Sequence, residues 1–150
     1  MDGHANSAER LTRAQCLDLL RSTGIGRIAY SQRAMPAIVT VDYAVIDEAL
    51  VLRIDEGAPE LAPMRNAVVA FQADHSGGLD GRSWSVTCVG NARAVDNPAT
   101  VVALAGAGEW SSAGSPRPAF LRMDPELLEG RLFRDLPRPG GDRPPLTVTV

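Results

Sequence analysis

The sequence predicts a mainly β fold: a small six-stranded antiparallel barrel with flanking helices. Three observations predict it. Residues 82–95 alternate, with Trp84, Val86, Cys88, Ala92 and Ala94 on one face and Ser85, Thr87, Asn91 and Arg93 on the other. A period of two marks a strand with one face in a core. Five further segments of strand length are spaced regularly between turn residues, and only two segments carry a helical period.

Taken in order, Thr12 caps a first helix, with Gln15 as its capping-box partner and Leu11 and Cys16 at the staple positions. Ala14, Cys16, Leu17 and Leu20 share one face, and Gly24 is the expected stop. Residues 25–30 read as the first strand and 31–34 as a turn. Residues 35–45 are the second strand, with Ala37, Val39, Val41, Tyr43 and Val45 on one side. A turn at 46–48 leads to a third strand over 49–54. Residues 57–65 form a loop or a short helix, interrupted by Pro59 and Pro63. A fourth strand spans 67–73, and a glycine-rich loop spans 75–81. The fifth is the long strand over 82–95, where Gly90 marks a bend or a close backbone approach. Pro98 opens a second helix over 99–105. A loop with Trp110 follows, then a sixth strand over 119–124, and residues 127–133 extend or close the sheet.

At 150 residues the chain is one domain with a sizeable core. Residues 1–10 read as a flexible N-terminus, 11–135 as the barrel domain and 136–150 as a Pro/Gly-rich tail. The apolar end of that tail, 146–150, is able to add a strand to an edge. A net charge of −3 gives no basic footprint for nucleic acid. All fifteen basic residues are Arg, a bias expected of a GC-rich genome. Cys16 and Cys88 form neither a metal-ligand spacing nor a C-x-x-C pair, and no signal peptide or 18-residue apolar run is visible. The expectation is a cytoplasmic protein with reduced thiols and no membrane partner.

Four ordered segments resemble a known family. They are the capped helix running into Gly24-Ile25-Gly26-Arg27-Ile28-Ala29-Tyr30; the strand pair 35–43 and 50–53, then Gly57 and Leu61; Trp84-Ser85-Val86 with Gly90 and Ala92-Arg93; and Trp110, then Leu121-Arg122-Met123-Asp124-Pro125 and Gly130-Arg131. Order and spacing over roughly residues 10–134 resemble the FMN-binding split-barrel proteins of the pyridoxamine 5'-phosphate oxidase-like superfamily, in particular its short actinobacterial members. The resemblance implies a homodimer with a flavin-type cofactor in each of two interface grooves. That cofactor would be FMN or a deazaflavin coenzyme, with haem or a bilin in some branches. It implies a small oxidoreductase acting on a small-molecule substrate, in which the ring system does the chemistry and the protein positions it. No catalytic side chain and no metal site is expected, since His4 and His75 are too few and too separated. The cofactor-binding positions it implies are Thr40, Asp42, Arg53, Ile54, Asp55, Gly57, Ala58, Glu60, Trp84 and Ser85.

The sequence departs from the family at the phosphate loop. Relatives follow the third strand with Gly, a small hydroxyl residue and Lys; here Gly57 is followed by Ala58, Pro59 and Glu60, after Asp55 and Glu56. Asp42 stands where relatives carry Asn. Arg53 and Arg65 are the nearest replacement cations. The basic residues that pyridoxamine-phosphate oxidation needs for two phosphates are not assembled. The alternative function is a non-catalytic split-barrel dimer that has lost phosphate binding and acts as a ligand-binding or sequestering protein. Single residues carry paired readings. Trp84 flanks a cofactor ring or plugs a barrel end. Arg53 holds a phosphate or is an exposed strand residue. Trp110 is a lid or a packing anchor. Tyr43 is expected as an interface aromatic and Cys88 as a buried structural thiol.

Overall fold

The computed structural model describes residues 8–76, 82–106, 110 and 116–134. The C-terminal tail, the glycine-rich stretch 77–81 and most of the loop around Trp110 lie outside the described residues.

The helix α1, Arg13–Arg21, starts at the expected capping box. Gln15 N–H donates to Thr12 Oγ1 at 3.2 Å and Thr12 N–H to Gln15 Oε1 at 2.9 Å, so two otherwise unpaired donors of the first turn are satisfied. The stop differs from the expectation. Ser22 ends the helix in right-handed geometry, its N–H and hydroxyl both donating to Leu19 O. A side-chain oxygen satisfying a terminal carbonyl removes the need for a left-handed glycine, and Gly24 lies beyond.

The strands are β1 (Glu9–Arg10), β2 (Ile25–Gln32), β3 (Met35–Ile46), β4 (Ala49–Asp55), β5 (Ala67–His75), β6 (Arg82–Ala94), β7 (Pro118–Met123) and β8 (Leu127–Arg134). Short α2, Leu61–Met64, and α3, Pro98–Gly106, lie between β4 and β5 and between β6 and β7. All pairings are antiparallel. Their order is β1-β8-β6-β5-β2-β3-β4-β7, and β6 also pairs with β7, closing a ring of six strands with β8 and β1 attached outside it. Glu9 and Arg10, in the segment expected to be flexible, pair with Leu132 and Arg131.

Two joints in the ring are short: β2 meets β5 only over Arg27–Ala29, and β6 meets β7 only where Ala92, Arg93 and Ala94 face Met123, Arg122 and Leu121. The other ladders are longer. The ring is therefore two sheets split along two seams, β2-β3-β4-β7 and β5-β6-β8.

Alternation sorts the side chains as read from the sequence. Val41, Tyr43, Leu50, Leu52, Ile54, Val69, Phe71, Val86, Cys88, Leu121 and Met123 fill the interior, and Cys16 and Leu20 of α1 join the same cluster. Gly90 stays in phase and faces inward; a Cβ there would meet Asp124 O at 2.6 Å, so the glycine permits the close backbone approach the sequence suggested. The two tight hairpins turn on Arg33-Ala34 and Asp47-Glu48, all four with positive φ between 48° and 63°. This is the I′-type geometry that suits twisted strands, reached here without glycine.

Candidate functional site

The outward-facing residues of the ring form registered rows. One runs Leu127, Val89, Ala70, Ala29, Ile38 across β8, β6, β5, β2 and β3, each facing the next across a ladder. It is wholly apolar, and Ile38 is 72% exposed and Leu127 47%. The next row is polar: Glu129, Thr87, Gln72, Arg27, Thr40. Beyond it, Ile25, Asp42, Arg53 and Phe120 face one another across β2, β3, β4 and β7.

Asp42 and Arg53 are direct cross-strand partners. Arg53 Nη2 donates to Asp42 Oδ2 at 2.9 Å, with only 10% of the Arg53 side chain and 15% of the Asp42 side chain exposed. Trp110 shields them. The Arg53 guanidinium carbon sits 4.9 Å from the centroid of its ring, and Phe120 lies 5.6 Å from the same ring. Trp110 is held in turn by its Nε1–H, which donates to Leu104 O of α3 at 3.2 Å. A cation against an aromatic face and a carboxylate, both withdrawn from water, is strongly held.

The loop after β4 folds back on itself. Asp55 Oδ1 accepts from Gly57 N–H at 3.2 Å, and Asp55 O accepts from Ala58 N–H at 2.9 Å. Glu56 N–H donates to Arg117 O at 2.9 Å, so Arg117 borders the loop. Glu60 precedes α2 without a side-chain capping bond, and Ala58 packs its methyl against the core. Arg65, the other candidate cation, is exposed at the far end of α2.

The expected site residues thus fall into groups. Thr40, Asp42, Arg53 and Asp55 share the outer face of β3 and β4, continuous with Gly57, Ala58 and Glu60. Ile54 is between Arg53 and Asp55 but faces inward and is buried. Trp84 also faces inward, 7% exposed, and lines a cleft of about 460 Å³ with Leu11, Leu19 and Leu132. It lies ten residues from the Ala94 seam, roughly 33 Å along the strand, at the other end of the barrel from Arg53. Ser85 is on the outer face of β6 opposite Asp74, several strands from Arg53. Tyr43 is a core residue: its ring meets Phe71 edge-on at 4.8 Å and its hydroxyl donates to Leu20 O at 2.6 Å. Burial pushes its phenol pKa up, and the Thr23 hydroxyl bonded to it pulls the other way. Cys88 is fully buried, its thiol pushed up to about 12 by desolvation against the weaker pull of Arg13. Such a thiol is inert at neutral pH.

Phe120 was not foreseen as part of the site; in the β4–β7 register it faces Arg53. Trp110, read as a lid or a packing anchor from its place in a small-residue loop, packs over Arg53 and against Phe120. Among the described residues no group of three or more His, Cys, Asp or Glu could hold a metal ion, and no helix is long and apolar enough to cross a membrane.

A ring of antiparallel strands joined at two short seams defines a split-barrel protein. The chain belongs to the pyridoxamine 5'-phosphate oxidase family, whose sequence profile matches residues 12–132. Its structure is similar to that of an FAD-binding protein from Mycobacterium smegmatis, with a TM-score of 0.71 and 28% identity over 87% of this chain and 99% of that one. An FAD-binding protein from Mesorhizobium loti shares the fold, with a TM-score of 0.65 and 23% identity over 84% of this chain and 98% of that one. In sequence the chain is also similar to the uncharacterised protein Rv0080 of Mycobacterium tuberculosis, 30% identical over 102 residues that make up 65% of this chain and 67% of that protein.

The site can be tested against a flavin nucleotide. The outer surface offers apolar area beside polar groups, which suits a ring system. The phosphate does not fit at Arg53 and the Gly57 loop. The guanidinium is already bonded to Asp42 and stacked on Trp110, and the Gly57 amide is already bonded to Asp55.

Proposed function

We propose that two copies of this chain pair through the outer barrel face and bind a flavin or deazaflavin ring at their interface, the pair serving as a small oxidoreductase. Family membership and the similarity to a protein named as FAD-binding support the flavin class. One observation carries the pairing. The apolar row from Leu127 to Ile38 crosses five strands, exposed at Leu127, Ala29 and Ile38 and half-buried at Val89 and Ala70, and runs alongside the row that holds Thr40. A contiguous apolar stripe rimmed by polar residues is a surface that a partner covers. A second copy seated there would cover the apolar row and face the polar row beside it. The ring, when bound, supplies the hydride or electron chemistry; the chain's residues hold and orient it.

The Asp42–Arg53 ion pair favours the second reading, a dimer that binds a ligand without turnover. The visible spectrum of protein purified from its native host, with sedimentation equilibrium on the same sample, tests both. Flavin or deazaflavin bands on a dimer support the first reading. A colourless dimer supports the second, and a clean 15.9 kDa monomer removes the interface site altogether.

A further inference from the structure

Both groups that would grip an anion at this site are held by the chain's own carboxylates. Arg53 Nη2 lies 2.9 Å from Asp42 Oδ2, and the Gly57 N–H donates to Asp55 Oδ1 at 3.2 Å. The two acids flank each other's positions on adjacent strands: Asp42 faces Arg53 across the β3–β4 ladder, and Asp55 follows Arg53 by two residues on the same outer face. Arg53 is further fixed by the Trp110 ring, whose centroid lies 4.9 Å from the guanidinium carbon. Its charge is therefore spent inside the fold, in a spot shielded from water where like charges repel most strongly. A phosphate arriving here must displace two carboxylates and share the surface with Glu56 and Glu60.

We infer that Asp42 and Asp55 act as built-in phosphate surrogates, which make this site select a ligand whose phosphate-free portion lies against Arg53 and the Gly57 loop. The inference rests on the flavin-binding reading for the identity of the ring, but it concerns discrimination between forms of the ligand. Riboflavin and FMN share a ring and differ by one phosphate, so their affinity ratio reads the discrimination directly.

The test uses the full chain as wild type, Asp42→Asn, Asp55→Asn and the double variant, with circular dichroism as a check on folding. FMN and riboflavin are titrated by fluorescence quenching, and inorganic phosphate is titrated by its effect on the melting temperature. In the double variant FMN affinity is expected to rise at least about tenfold, the scale of one charge-assisted hydrogen bond regained. Riboflavin should change by less than about twofold on the same scale, and adding Arg53→Met to the double variant should erase the FMN gain. An equal gain for both ligands, or no gain for FMN while riboflavin binds, overturns the inference. If neither flavin binds any variant, the flavin reading fails by itself and the phosphate arm decides: stabilisation of the double variant but not of wild type sustains the surrogate role, and equal behaviour overturns it. Should the Asp42 variants not fold, Asp55→Asn alters an exposed carboxylate and carries the same comparisons with a smaller gain.

Discussion

The phenol of Tyr43 donates its proton to the main-chain carbonyl of Leu20 at 2.6 Å, inside the core, and accepts the hydroxyl proton of Thr23. This is how α1 is fastened to β3: the last turn of the helix leaves carbonyls unpaired, and a barrel strand supplies the donor. Tyr43→Phe keeps the ring packed on Phe71 but leaves the Leu20 carbonyl with the long bond from Thr23 N–H at 3.4 Å and takes away the acceptor of the Thr23 hydroxyl. The expected loss is about 1–3 kcal/mol, read by urea or thermal unfolding, with the secondary structure unchanged. A melt equal to wild type would show that water replaces the phenol.

Trp84 belongs to the interior, packed with the core at the end of the barrel that α1 covers. Truncation to Ala is expected to destabilise the ligand-free protein by about 3–5 kcal/mol. A near-normal melt combined with weakened cofactor binding would return Trp84 to the ligand.

Ile38, at one end of the apolar row, is 72% exposed. Ile38→Glu puts a charge at the end of a surface that pairing must dry, and such unpaired charges are costly to bury. Sedimentation should show the mass falling to 15.9 kDa, with the far-ultraviolet spectrum unchanged. A variant still paired at micromolar concentration would place the interface elsewhere.

The buried Cys88 thiol gives the protein an alkaline limit. Its folded-state pKa is pushed up from the ordinary 9.0 to about 12 by desolvation, with Arg13 pulling weakly the other way. Above pH 9 the unfolded chain has lost a proton that the folded chain keeps. Stability is therefore fully present below about pH 9 and declines as pH rises toward about 12. Tyr43 is shifted in the same direction from 10.0. The melting temperature should be flat near neutrality and fall above pH 9, with a shallower fall in Cys88→Ala. An unchanged slope in that variant would assign the limit to Cys16 and Tyr43, both also pushed up by burial.

What was legible in the sequence followed from local periodicity. The inward sets on β3 and β6, the capping box of α1 and the six-strand ring were readable because alternation and capping are properties of neighbouring residues. Contacts between distant segments were not. Nothing near Tyr43 signals that its hydroxyl reaches Leu20, which made it read as an interface aromatic. Arg53 alternates outward and so reads as a phosphate ligand or an exposed strand residue; the Asp42 carboxylate and the ring of Trp110, 57 positions further on in the numbering, cover it. The tight turns at Arg33-Ala34 and Asp47-Glu48 lack glycine, so their positive φ values were hidden as well. For the site, the acidic character of the loop was plain from composition. That its first acid caps the Gly57 amide, and that Asp42 is the exact cross-strand neighbour of Arg53, needed the register.

The apolar row crosses the ring at Ala70 and Ala29, which is one of the two short joints between the half-barrels. In the proposed pair, a second copy resting on that row would act as a clasp over a weak line in the wall. Folding and association then become one concentration-dependent equilibrium: dilution loosens the barrel where β2 meets β5, amides of Arg27–Ala29 exchange sooner than those deep in the β5–β6 ladder, and the melting temperature climbs with protein concentration.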